Sequence, residues 1–174
     1  DHRVPGLVPG LYVLPRDEAE LPALRANLSR KFAWDRADDA VPLHRLSSAD
    51  VRGAARDVSC GQDIASDGAF AVAMLADLDG GLAAFGASFY RRLHWEAGAI
   101  GHVLYLEAES DAVRGTGIGC FFDASLRRYL LEQGALPAAP LVAMLPVAVR
   151  AKDADGGGNA VGAILATLAP DIDD

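Results

Sequence analysis

The chain is short of nearly everything that marks the common specialised classes. It has no long apolar run: the longest uncharged stretch, Gly134 to Val149, is interrupted by Pro137, Pro140 and Pro146, and a membrane-spanning helix needs about 18 or more apolar residues. Basic residues are in the minority, with 16 Lys and Arg against 24 Asp and Glu and a net charge of −8. Nucleic-acid backbones demand a concentrated basic surface, so the balance argues against nucleic acid as the main partner. There are two cysteines, Cys60 and Cys120, far apart and in no CxxC pair. That spacing argues against a zinc site or a disulfide framework, and for a reducing cytoplasm. The first residue is Asp1 and no charged-then-apolar leader follows it, so the chain reads as a fragment or a trimmed product and not as a secreted protein.

What is present is ample apolar material. Of 174 residues, 51% are hydrophobic, enough for one domain with a real core. Leu11–Leu14 reads as a short strand after a Pro/Gly-rich lead-in. Asp17 is placed to cap a helix, with Glu20 as its capping-box partner and Leu21, Leu24 and Leu28 as its apolar face. Val41–Leu46 is a strand candidate despite Pro42, and Ser47–Asp57 a short helix with Ser47 as N-cap and Asp50 at the third position. Ala69–Leu75 is an uninterrupted apolar run of strand length, although periodicity alone does not exclude a helix.

From Leu82 to Ser110 the period is helical. Leu82, Phe85, Phe89, Leu93, Ile100, Val103 and Leu104 fall near one stripe. Gly98 and Gly101 would each cost an exposed helix about 1 kcal/mol relative to Ala. Close approach of another backbone or a cofactor would offset that, so the helix is expected to be buried on more than one side. It feeds Gly115-Thr-Gly-Ile-Gly119. Such a turn is either a ligand-cradling nest of N–H groups or a tight helix-to-strand connection. Beyond Asp123 the texture changes to a short amphipathic helix (Leu126–Gln133) and two apolar runs, Leu141–Val149 and Val161–Leu168, either side of a GGGN turn. These runs are expected to pair as a hairpin.

Metal and hydrolase signals are weak. His94, Glu96 and His102 lack HExxH spacing, Ser59-Cys60 has no nucleophile elbow, and Asp153-Ala-Asp-Gly-Gly-Gly158 lacks the later glutamate of a calcium loop.

Three segments, HRVPGLVPGLYVL, SCGQDIASDGAFAVAML and the run WEAGAIGHVLYLEAE to RGTGIGCFFD, resemble nitroreductase-like flavin oxidoreductases, especially the azoline-dehydrogenase-like branch. The resemblance covers about residues 1–123. It implies an α+β fold with a long central helix and a small mixed or antiparallel sheet. It also implies a homodimer through that helix, and FMN passing hydride through N5 between NAD(P)H and a small-molecule or modified-peptide substrate. By position it makes Thr116, Gly117, Ile118, Gly119 and Cys120 the cofactor-binding loop, with Cys120 a packed small hydrophobe and His102 a core or interface residue. No catalytic residue is assigned. The family's Arg-Arg-Ser and Pro-Ser-Gly phosphate elements are absent, which implies that FMN binds weakly or not at all and that this chain alone is incomplete or inactive.

Residues 124–174 form a second part. LRRYLLEQGALP, PLVAMLPVAVR and GNAVGAILATLAPDIDD are similar to bacterial wax ester synthase/diacylglycerol acyltransferases. That family moves an acyl group from acyl-CoA to an alcohol or diacylglycerol, using a His-His-x-x-x-Asp-Gly motif that this sequence lacks. Three readings follow: a flavin oxidoreductase, an acyltransferase-related chain, or a chimera without catalytic activity.

Overall fold

In the computed structural model the described residues are 4, 6–122, and the strand backbones 141–151 and 163–168. The fold is α+β, built on one mixed sheet of seven strands. β1 (Leu11–Leu14), β2 (Asp35–Arg36), β3 (His44–Ser47), β4 (Phe70–Asp77), β5 (Val113–Gly117), β6 (Leu141–Ala151) and β7 (Ala163–Leu168) lie in the order β2-β3-β1-β7-β4-β6-β5. The helices are α1 (Leu21–Asn27), α2 (Arg52–Val58), α3 (Ile64–Asp67), α4 (Leu78–Phe85) and α5 (Ser88–Ser110).

β4 explains why its sequence is apolar throughout instead of alternating. Side chains on a strand point alternately to the two faces, and here both faces are covered. Ala73 and Leu75 join Leu11, Val13, Leu46, Leu28 and Val51 on one side. Val72, Met74 and Ala76 pack on Phe89, Leu93 and Ala97 of α5 on the other. The sheet is therefore the middle of three layers.

The two strands from beyond residue 123 do not form the expected hairpin. β7 lies between β1 and β4 and is parallel to both, with Val13 and Ala73 each facing Leu165. β6 runs antiparallel to β4 on its other side and to β5. The GGGN turn and the Leu126–Gln133 helix lie outside the described residues. Pro146 is tolerated inside β6 because the register there slips. Val72 faces Val147 but Met74 faces Met144, leaving Leu145 and Pro146 opposite Ala73, and pairing with β5 ends at Val147. A proline has no N–H for a ladder, so a bulge is where it fits.

Local signals moved by a few residues. Asp17 accepts from the Ala19 N–H at 2.8 Å and opens a 3-10 turn, Glu18–Glu20, so Glu20 leads into α1 and makes no capping-box bond. α2 starts at Arg52, five residues after Ser47. Asp50 accepts from the Arg52 N–H, and the Arg52 guanidinium holds its carboxyl down at about 2. The long helical period is broken between α4 and α5 at Gly86, whose φ of 73° suits glycine.

His44 is buried on β3 at 5% exposure, and neither ring nitrogen has a hydrogen-bond partner among the described residues. Its neighbour is the Trp34 ring, 6.3 Å away between centroids. An unsatisfied buried polar group is costly, whereas an apolar side chain of similar size is not. His44→Leu should therefore raise the unfolding free energy by about 1 kcal/mol, read from a denaturant midpoint at unchanged slope.

Candidate functional site

The region singled out by sequence begins where α5 ends. Asp111 donates its N–H to the Glu107 carbonyl, Ala112 takes φ 58°, and the chain turns directly into β5. Gly115, Thr116 and Gly117 are thus strand residues, paired with Val149, Ala148 and Val147 at the edge of the sheet. The tight connection, and not the open nest, is what forms. None of Gly115, Gly117 and Gly119 has positive φ. A Cβ at 115 would stand at ordinary contact distance, 3.8 Å, from the Ala108 methyl and from Tyr105, so β5 packs on α5 there without requiring glycine.

The five carried-over residues have separate fates. The Gly117 N–H donates to the Tyr105 hydroxyl. Ile118, 1% exposed, is buried against Ala55 and Ala65 of α2 and α3. Cys120 is disulfide-bonded to Cys60, with 5.9 Å between their Cα atoms, so it is neither a free thiol nor a packed hydrophobe. Its carbonyl accepts from Gln62 at 3.3 Å. This bond overturns the expectation of unpaired cysteines, and with it the ground for inferring a reducing compartment. Thr116 is exposed and pairs with Ala148 in the ladder, and Gly119 is exposed beyond the end of β5.

Within the loop that the resemblance assigns to the cofactor, the Gly117 N–H is engaged by Tyr105. Several described arginines form ion pairs: Arg36 with Glu18 at 3.0 Å, Arg45 with Asp35 at 3.1 Å, Arg56 with Asp63 at 2.5 Å, and Arg16 with Glu96; Arg114 on β5 is exposed beside the loop.

Among the described residues the expected close approach at Gly98 and Gly101 is not made. Nothing lies within 4 Å of a Cβ built at either. α5 buries one face only. Opposite Leu93 and Ala97, Trp95 is 69% exposed and Leu106 58%, and His102 is exposed beside them.

Sequence reasoning missed a cleft of about 220 Å³ at the other end of the sheet, between Leu7, Val8 and Tyr12 on one side and Arg36, Ala37 and Arg45 on the other. Tyr12 donates its hydroxyl to the Val8 carbonyl at 2.5 Å, and burial pushes its pKa up. The outward-facing Arg45 on β3, between buried His44 and Leu46, was the only sign of it. Among the described residues no group of three or more His, Cys, Asp or Glu could hold a metal ion, and no helix is long and apolar enough to cross a membrane.

Comparison with known proteins points in one direction. No family model matches the chain, and no solved structure matches it. A segment of 51 residues, 29% of the chain, is 57% identical to proteins of Mycobacterium bovis and Mycobacterium tuberculosis that carry diacylglycerol O-acyltransferase as a provisional name. A second Mycobacterium tuberculosis protein with that provisional name is 48% identical over 67 residues, 38% of the chain. The matches cover 11% and 14% of those proteins, so the chain spans little more than a tenth of their length. A segment of the chain is therefore similar to diacylglycerol O-acyltransferases.

Proposed function

We propose that this is an acyltransferase-related chain of the wax ester synthase/diacylglycerol acyltransferase type, and that the acyltransferase-like part contributes scaffold and not catalytic groups. The observation that carries the reading is the 57% identity over 51 residues, a length that agrees with the segment after residue 123. That segment holds β6 and β7, and β7 stands between β1 and β4 in the sheet. The division of roles rests on the histidines. No His-His-x-x-x-Asp-Gly motif is present; His44 is buried, and His94 Nδ1 is engaged by the Tyr90 carbonyl at 2.9 Å. The family's general base belongs to that motif, and the histidines of this chain stand singly outside it. The test is transfer from a labelled long-chain acyl-CoA to diacylglycerol or a long-chain alcohol. Product is expected when the histidine-bearing portion of a mycobacterial relative is supplied, and none from this chain alone. Turnover by the chain alone would contradict the scaffold role, and none in either mixture would contradict the acyltransferase reading.

The flavin oxidoreductase reading rests on the three N-terminal segments and on the exposed edge at Thr116 and Gly119. It expects purified chain to retain added FMN, seen as the flavin absorbance band after gel filtration. Loss of all flavin in that step would end it.

A homodimer through α5 is part of the same proposal. The bare Gly98 and the exposed Trp95 and Leu106 give one helix face suited to close packing against a second copy. Gly98→Leu separates the dimer from the monomer fold. It should stabilise the helix by about 0.5–1 kcal/mol, because glycine is a poor helix former. It should also shift sedimentation from dimer to monomer. A wild-type chain that already sediments as a monomer would refute the pairing.

A further inference from the structure

The Cys60–Cys120 bond joins two loops that nothing else holds covalently, 60 residues apart in sequence. Cys120 is exposed and Cys60 half-buried, so a sulfur is open to attack from solvent. Cys60 sits just after α2 with φ 57°, in the left-handed region that a cysteine rarely occupies, and Gly61 follows at 73°. The bond thus spans a backbone turn that is itself under strain. It also closes over a docked segment. Residues 118–122 lie on α2 and α3 through the buried Ile118, the Gln62 side-chain amide on the Cys120 carbonyl, and the Phe122 N–H on the Val58 carbonyl at 2.6 Å. β5 ends immediately before this segment, and residue 123 follows it.

We propose that Cys60–Cys120 is a reversible thiol–disulfide latch, opened by a dithiol reductant, that fixes residues 118–122 on α2 and α3. A thiolate of the reductant attacks the exposed Cys120 sulfur. The S–S bond breaks, and Cys60 leaves as a thiolate that takes a proton from water. The second thiol of the reductant then attacks the mixed disulfide and releases Cys120. The protein gains two electrons and two protons, and the reductant is oxidised to its own disulfide. The reduction potential of the surrounding thiol pool, set against that of the bond, would fix the fraction of latch that is open. The oxidised form holds the chain at the place where the acyltransferase-like part begins; the reduced form keeps only the non-covalent ties.

The test uses the wild-type chain, with free thiols counted by maleimide labelling and mass spectrometry, and amide hydrogen exchange followed in parallel. Without reductant, no thiol should label. With dithiothreitol under native conditions, both should label, exchange at Phe122 should quicken by about tenfold or more, and exchange in β4 should not change. Cys60→Ser should exchange at Phe122 as the reduced chain does and should not respond to dithiothreitol. Two thiols labelled before any reductant is added would overturn the proposal. So would a bond that dithiothreitol opens only after unfolding, or a reduction that leaves Phe122 exchange unchanged.

Discussion

Leu75→Ala should lower the unfolding free energy by about 3 kcal/mol, within the range for truncating a buried leucine. Leu75 has no exposed surface and packs with Leu11, Val13, Leu46, Leu28 and Val51, side chains drawn from β1, β3, the end of α1 and the start of α2. Few of these neighbours can move into the space, because each is fixed by its own strand or helix. A loss of that size is a large fraction of the ~5–15 kcal/mol by which such domains are stable. Urea unfolding followed by tryptophan fluorescence checks it, with Val41→Ala as the exposed control, expected to change stability by less than about 0.5 kcal/mol. An effect on Leu75 as small as the control's would mean that β4 is not the centre of the core.

Leu165→Pro should be worse, and for a backbone reason. Leu165 stands in β7 with Val13 on one side and Ala73 on the other, so its main chain is flanked by partners in both directions. Proline has no N–H and cannot keep a place in an interior ladder. The cost should be about 3 kcal/mol or more, the scale for proline forced into hydrogen-bonded backbone, and the cooperative transition should be lost. Pro146 is the internal comparison. It already occupies an interior strand, but at the slipped register opposite Ala73. Pro146→Ala should therefore fold normally, and circular dichroism melts of the two variants side by side provide the check.

The contrast between these sites shows which parts of the fold the residues announced. β1, β4 and α5 are legible because their patterns are local: an apolar run of strand length, or a stripe at helical spacing. β5 is not. Val113–Gly117 has two glycines and no strand pattern, and it is a strand only because β6, over 20 residues further on, lies beside it. The place of β7 between β1 and β4 is equally non-local, since parallel partners can be joined by any long connection. Gly86 was a readable stop, but the apolar residues on both sides of it, Phe85 and Phe89, carried the helical period across the break.

The candidate site follows the same rule. The sequence located the α5–β5 junction and offered both of its outcomes, nest and connection. It could not choose, because the choice depends on the partner strand and on Tyr105 reaching the Gly117 N–H. The disulfide had no local sign at all: two cysteines in unrelated motifs meet only because Ile118 carries the segment onto α2 and α3. Gly98 and Gly101 were informative in another way. They announced a close approach, and the described residues do not supply one.

The central claim is that the acyltransferase-like part is built into the same sheet as the N-terminal part. Amide hydrogen exchange on the intact chain tests it most directly. Residues 163–168 should be protected as strongly as residues 71–76, and both sets should open together as denaturant is added, because they pair directly. Free exchange at 163–168 while 71–76 stay protected would contradict the account, and with it the role proposed for that part.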